Sequence, residues 1–143
     1  MSFYDRLGHM PTLALIAHDQ KKADLVAFCR RNRRCLAALS LIATGTTGRQ
    51  IAAATGLEVE CMLSGPLGGD AQIAARIAVG QVAGVVFLVD PLTAHPHEPD
   101  IQGLLRVCNV HNVPAATNLA TAELVIRSLS PAEAHPCDAA FPS

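Results

Sequence analysis

Short apolar runs that alternate with helical patterns constrain the fold of this chain more than any other feature. Each run is four to six residues long and nearly continuously apolar, which is typical of a parallel strand covered on both faces. The runs are Leu13–Ala17, Leu39–Ala43, Val59–Leu63, Gly84–Val89 and Pro114–Thr117. Between them, apolar residues recur with a helical period. We therefore predict five β/α units that form an α/β fold, a single doubly wound domain with a five-stranded parallel core sheet flanked by helices.

The boundaries of the predicted helices and of the domain follow from residue type and length. Gly56, Gly80 and Asn112 stand where helices should end, because these residue types tolerate the left-handed backbone of a C-terminal cap. A chain of 143 residues has the length of one domain. We expect residues 1–143 to form that domain, with a core of about residues 11–128 and a loosely ordered tail over 130–143.

The charge balance and the aromatic content exclude several kinds of partner. Apolar residues make up 50% of the chain, and the formal net charge is −1, so no overall field attracts nucleic acid or an anionic membrane. One Tyr, four Phe and no Trp argue against a surface that stacks bases. No apolar run reaches the ~18 residues of a membrane helix. We therefore expect no nucleic acid and no membrane among its partners.

The cysteines predict a cytoplasmic protein. There are five, an odd number, and no two of them form a CxxC pair. Cys29, Cys35, Cys61 and Cys108 lie in apolar stretches, which favours buried free thiols. The N-terminal segment is too polar for a signal peptide. A reducing cytosol is the compartment in which such thiols persist.

Polar residues cluster directly after the predicted strands. They occur at His18–Asp19, Thr44–Gly48, Ser64–Asp70, Asp90–Asp100 and Asn118. Because the carboxyl ends of parallel strands line the ligand crevice of an open sheet, these segments should converge on one binding site.

The segment Thr44–Gly48 has the composition of a phosphate-binding loop. We expect it to join a strand to a helix over Arg49–Thr55, so that backbone N–H groups and threonine hydroxyls point at an oxyanion. The P-loop lysine and the GxGxxG pattern are missing, which favours a phosphate monoester over a nucleotide. The alternative is an ordinary turn in which Thr46 or Thr47 caps the helix.

Two further residues are candidates for the same site. Lys22 follows His18 by four residues and can supply a positive charge to the phosphate; a solvated lysine is the alternative. Asp70 ends a glycine-rich segment, Ser64–Asp70, which makes it a candidate general base. The alternative for Asp70 is a helix N-cap.

The segment Asp90–Asp100 combines histidines with carboxylates. His95, His97 and Glu98 lack a defined metal-ligand spacing, so we expect no metal site. Acid–base chemistry fits His and Asp near neutral pH, and a proline-stiffened surface loop is the alternative.

Five blocks of sequence together resemble the methylglyoxal synthase family. They are AHDxxK at 17–22, ATGTTG at 43–48, SGPLGGD at 64–70, DPLTAHPHEPD at 90–100 and ATNxATA at 116–122. The resemblance implies a cytosolic homohexamer without metal or organic cofactor. It also implies conversion of dihydroxyacetone phosphate to methylglyoxal and inorganic phosphate through an enediolate.

The resemblance also assigns site residues. It implies a phosphate site formed by Lys22, Thr44, Gly45, Thr46, Thr47, Ser64 and Gly65. It implies that His18 and His97 bind substrate, that Asp70 is the catalytic base, and that Asp90 and Asp100 are further active-site carboxylates. The family's arginine in a longer C-terminal segment has no counterpart, because the last arginine here is Arg127.

Two other functions are compatible with such a site. One is a non-catalytic regulatory module that binds a phosphorylated effector. The other is an enzyme of the triose-phosphate isomerase or aldolase type that uses the same class of substrate. The presence of both Asp70 and His97 favours an enzyme over the regulatory module. The reaction products distinguish the methylglyoxal-forming lyase from an isomerase or aldolase.

Overall fold

Five parallel strands form the centre of the protein, whose computed structural model describes residues 10–92 and 99–135. The strands are β1 (Thr12–Ala17), β2 (Ser40–Ala43), β3 (Val59–Cys61), β4 (Gly84–Leu88) and β5 (Ala115–Ala116). Their spatial order is β3-β2-β1-β4-β5, and every pair is parallel. The predicted doubly wound α/β fold is therefore confirmed.

Helices connect the strands and cover both faces of the sheet. Within the described residues they are α1 (Lys22–Arg31), α2 (Arg33–Ala37), α3 (Gly45–Thr55), α4 (Gly69–Ala78), α5 (Pro99–Val110) and α6 (Leu119–Leu129). Gly56, Gly80 and Asn112 have φ angles of 75°, 79° and 55°. They follow α3, α4 and α5, as their residue types predicted.

The alternating side chains of β1 divide the core into two layers. Leu13 and Leu15 belong to the buried cluster that contains residues of α1, α2, α3 and α6. Ala14 and Ile16 belong to the second cluster, with residues of α4 and α5. Because successive side chains of a strand point to opposite faces, helices cover this strand on both sides, as its apolar run predicted.

The prediction of a fully covered strand is wrong for β3. This strand is short and lies at the edge of the sheet, where it pairs only with β2. Glu60 and Cys61 are exposed there. The expectation of a buried thiol is therefore wrong for Cys61, while Cys29, Cys35 and Cys108 are buried as expected. An edge strand lacks the second neighbour that would shield its residues from solvent.

The segment after α6 begins with an ordered turn. Ala132–Ala134 forms a 3₁₀ turn, and the Cys35 thiol donates a hydrogen bond to the Ala134 carbonyl at 3.2 Å. Residues 136–143 of the predicted tail lie outside the described residues. In the part of the chain that the structure describes, none of the helices is both long enough and apolar enough to span a membrane.

The cysteines should differ sharply in reactivity in the folded protein. Burial raises the pKa of the Cys29 thiol to about 12, so its reactive thiolate is scarce near neutral pH. Cys61 is exposed. We expect iodoacetamide to alkylate Cys61 much faster than Cys29, measured by peptide mass spectrometry after brief labelling. The two should react alike in urea; equal labelling of the native protein would contradict the burial of Cys29.

Candidate active site

The strand order places a crevice between the ends of β1 and β4, where the direction of winding reverses. His18 follows β1, and its backbone N–H donates to the Leu88 carbonyl at the end of β4, at 3.1 Å. The backbone N–H of Asp90 donates to Nδ1 of the His18 ring at 2.9 Å. The structure thus brings together two of the predicted site residues from different strands.

This hydrogen bond determines which ring nitrogen of His18 can donate. The Nδ1 atom is occupied as an acceptor, so Nε2 is the ring nitrogen that can donate a hydrogen bond. Phe87 also orients the ring, in an edge-to-face contact with the centroids 5.2 Å apart. The backbone contact and Phe87 thus fix the orientation of the His18 ring.

Asp90 is buried at the same position, with only 6% of its surface exposed. One oxygen of its carboxylate accepts the backbone N–H of Leu92 at 3.2 Å, which closes the turn after β4. The backbone of Asp90 thus holds His18, while its carboxylate shapes the chain that leaves the strand.

The predicted phosphate loop is the start of a helix instead. We expected Thr44–Gly48 to be a loop before a helix over Arg49–Thr55, but α3 already begins at Gly45, and Thr44 is its N-cap. The expectation that Thr46 or Thr47 caps the helix is also wrong, since both lie inside the first turn.

Close packing explains the glycines of this turn. A Cβ atom at Gly45 would lie 3.0 Å from the Met62 carbonyl oxygen, and one at Gly48 would lie 2.6 Å from the Cys61 sulfur. The glycines thus let α3 approach the chain around β3 rather than providing a loop.

The first turn of α3 has the features of an anion site. The first backbone N–H groups of a helix have no acceptor within the helix, and the helix dipole makes this end positive. The Thr47 residue is 1% exposed, and its Oγ1 has no hydrogen-bond partner among the described residues. The Gly45 N–H already donates to the Leu63 carbonyl, so the other N–H groups of the turn and the Thr47 hydroxyl are the donors that can bind a phosphate group.

The segment after β3 places Asp70 beside this turn. Gly65–Leu67 forms a 3₁₀ turn, and the Ser64 carbonyl accepts the backbone N–H groups of Leu67 and Gly69, both at 3.0 Å. A Cβ atom at Gly65 would lie 3.2 Å from Oδ1 of Asp70. The Asp70 carboxylate therefore lies against the Gly65 backbone.

Asp70 does not cap its helix. The N-cap of α4 is Gly68, with a φ angle of 104°, and Asp70 lies in the first turn. The alternative role of Asp70 as an N-cap is therefore wrong. The left-handed backbone at this cap suits glycine, so an aspartate is not needed for capping.

The two segments are directly connected. The Gly45 backbone N–H, at the start of α3, donates to the Leu63 carbonyl at 3.2 Å. The candidate phosphate residues of α3, Ser64–Gly65 and Asp70 thus form one continuous structure at the carboxyl edge of the sheet.

Lys22 is not the freely solvated lysine of the alternative interpretation. Its Nζ lies 2.9 Å from Oδ1 of Asp19, and 23% of its side chain is exposed against 83% for Asp19. Asp19 follows β1 as predicted but received no role in the predicted site, although the i,i+3 spacing to Lys22 is a signal for such a pair.

The remaining candidates belong to the segment after β4. His95, His97 and Glu98 lie outside the described residues, and Asp100 is the second residue of α5. Within residues 10–92 and 99–135, no group of three or more His, Cys, Asp or Glu residues could hold a metal ion.

Comparisons with known proteins agree with this architecture. The family model described as "MGS-like domain" matches residues 24–117, so the chain contains a domain of that class. A methylglyoxal synthase of Thermus thermophilus is 66% identical over 82% of this chain and 93% of its own length. One from Cupriavidus metallidurans is 64% identical over 84% of this chain and 86% of its own length.

A solved structure supports the same relationship. The crystal structure of methylglyoxal synthase from Elizabethkingia anophelis NUHP1 superimposes with a TM-score of 0.79 at 44% identity, covering 83% of this chain and 78% of that one. The chain belongs to the methylglyoxal synthase family and is an enzyme.

The unpaired hydroxyl of Thr47 leads to a prediction about stability. A buried hydroxyl without a partner is unfavourable by about 1–3 kcal/mol. We expect Thr47→Val, which keeps the shape, to raise the free energy of unfolding by about 1 kcal/mol in phosphate-free buffer, measured by thermal denaturation.

Thr55 provides the matched control for this experiment. It is also buried in α3, but its hydroxyl donates to the Ile51 carbonyl at 2.7 Å and accepts the Leu57 N–H at 3.2 Å. Thr55→Val should therefore destabilise the fold. Equal destabilisation by both substitutions would contradict the unpaired state of Thr47.

Proposed function

We propose that this enzyme converts dihydroxyacetone phosphate to methylglyoxal and inorganic phosphate, as a carbon–oxygen lyase. The observation that carries the proposal is the position of Asp70, a carboxylate beside Gly65 in a segment hydrogen-bonded to the first turn of α3. A base next to an anion-binding turn suits a small phosphorylated substrate whose carbon must lose a proton.

The phosphate group is bound first. Its oxygens accept hydrogen bonds from the first turn of α3 and from the turn after β3, and Lys22 adds a positive charge. The residues proposed for this role are Lys22, Thr44, Gly45, Thr46, Thr47, Ser64 and Gly65. Each charge-assisted hydrogen bond is worth about 1.5–3 kcal/mol, so the phosphate anchors the substrate.

Proton transfer follows at the carbon next to the ketone. Asp70 takes this proton as general base, and negative charge develops on the ketone oxygen. His18 donates its Nε2 proton in a hydrogen bond to the enediolate, because its Nδ1 is engaged by the Asp90 N–H. His97 is proposed as a second donor to the enediolate, and Asp90 and Asp100 as further active-site carboxylates.

Loss of phosphate completes the reaction. A proton first moves from the hydroxyl on the deprotonated carbon to the former ketone oxygen. The electrons of the resulting alkoxide form an aldehyde C=O, the enediolate double bond shifts towards the third carbon, and the C–O bond to phosphate breaks. The enol so formed takes up a proton at that carbon and becomes methylglyoxal. This step requires the C–O bond to lie roughly perpendicular to the enediolate plane. The phosphate-binding segments therefore decide between elimination and isomerisation, since they fix that torsion.

The proposal extends to the compartment, oligomeric state and cofactor requirement of the protein. As the family resemblance implies, the enzyme is a cytoplasmic homohexamer that forms a single domain and uses neither a metal nor an organic cofactor.

The product assay tests the reaction itself. We expect purified protein to release methylglyoxal and inorganic phosphate in equal amounts from dihydroxyacetone phosphate, measured colorimetrically, and EDTA to leave the rate unchanged. Glyceraldehyde 3-phosphate as the main product would contradict the lyase in favour of an isomerase. Binding without turnover would favour a regulatory module, and inhibition by EDTA would contradict the metal-free mechanism.

Asp70→Asn tests the proposed base. Asparagine has nearly the same shape but cannot accept the proton, so we expect kcat for methylglyoxal formation to fall about 10²- to 10⁴-fold. The fold should be retained in circular dichroism. Asp24→Asn is the control, because Asp24 is an exposed aspartate of α1 that pairs with Lys21 at 3.7 Å. A folded Asp70→Asn enzyme with wild-type kcat would remove Asp70 from the mechanism.

A further inference from the structure

The backbone of Leu63 and Ser64 lies where two parts of the site meet. The Leu63 carbonyl accepts the Gly45 N–H at 3.2 Å, from the start of α3. The Ser64 carbonyl accepts the Gly69 N–H at 3.0 Å, from the start of α4. This short segment therefore links the proposed phosphate-binding turn to the helix that carries Asp70.

A side chain of α4 completes this junction. The Leu63 N–H donates to Oε1 of Gln72 at 2.8 Å. The backbone of Met62 still donates to Ala43 at the end of β2, at 2.7 Å, but β2 ends at that residue. Gln72 thus supplies the acceptor for Leu63 at the point where the strand ladder stops.

We propose that Gln72 is a positioning residue for the elimination reaction. It acts through Leu63 and sets the distance between the first turn of α3 and Asp70, which precedes it by two residues in α4. This inference rests on the proposed function, and it assigns Gln72 no contact with substrate.

The contact has few other consequences for the fold. Gln72 is exposed, so its side chain contributes little to the core. The junction also keeps the hydrogen bond between Gly69 and Ser64. Gly69 itself touches the segment closely, since a Cβ atom there would lie 1.9 Å from the Leu63 carbonyl oxygen. Removing the Gln72 acceptor should therefore loosen the junction without unfolding α4.

A looser junction should change the ratio of the two reaction products. One side of the junction holds the phosphate, and the other holds the base, so their relative position sets the C–O torsion. When that torsion drifts, the enediolate lives longer and can be reprotonated with the phosphate still attached. The product is then glyceraldehyde 3-phosphate, so the ratio of the two products reports on positioning.

The test compares Gln72→Met with Gln81→Met. Methionine has a similar length but no oxygen acceptor, and Gln81 is an exposed glutamine in the loop before β4, at the opposite end of the sheet. We expect Gln72→Met to lower kcat/KM about 10- to 100-fold, since a misplacement of about 1 Å can cost 10²-fold in rate. The fraction of glyceraldehyde 3-phosphate should rise at least about fivefold, while Gln81→Met matches the wild type.

Gln72→Glu provides the rescue. Its carboxylate oxygen reaches Leu63 as the amide does, so the product ratio should return towards the wild-type value. Its charge weakens anion binding, and for that reason the comparison uses the ratio and not KM. A folded Gln72→Met enzyme with the wild-type product ratio would overturn the proposal. The proposal would also be overturned if the rate of Gln72→Met fell only in proportion to its fraction of folded protein.

The same variants separate this inference from the proposed function. If the wild type forms no methylglyoxal, the proposed function fails, and titration with orthophosphate then tests Gln72 alone. Because the first turn of α3 and the Ser64–Gly65 turn are both proposed to bind the phosphate, and Leu63 joins them, Gln72→Met should raise the dissociation constant for orthophosphate about 3- to 10-fold over wild type and Gln81→Met. Equal dissociation constants in that experiment would overturn the positioning role.

Discussion

The parallel direction of the strands is the constraint on which the site depends. Because the strands run the same way, the residues that follow them meet at one edge, and the reversal of winding between β1 and β4 opens a crevice there. The hydrogen bond from Asp90 to His18 spans that crevice. Together with the edge-to-face contact of Phe87, it orients the imidazole so that Nε2 is the ring nitrogen that can donate.

Close backbone contacts shape the other half of the site. Gly48 and Gly69 are positions at which a Cβ atom would collide with Cys61 and with Leu63, respectively. These contacts bring α3 and α4 against the chain that leaves β3. The proposed phosphate-binding turn and the helix that carries Asp70 are thereby packed against the same stretch of backbone.

The site also retains polarity that the fold does not satisfy. Thr47 is buried with an unpaired hydroxyl, which lowers stability, and it stands at the positive end of a helix. Lys22, by contrast, pairs with the exposed carboxylate of Asp19. Among the described residues of the proposed phosphate site, the Thr47 hydroxyl is therefore a polar group that the fold leaves without a partner.

The sequence by itself determined the strands, the helix ends at Gly56, Gly80 and Asn112, and the location of the site residues after the strands. Local patterns carry that information, since apolar periodicity and left-handed caps depend on neighbouring residues. Only the tertiary structure decided that α3 begins at Gly45, that Cys61 is exposed and that Gln72 binds Leu63. These depend on which segments pack together, because a glycine required by a close approach looks the same in sequence as a glycine required by a turn.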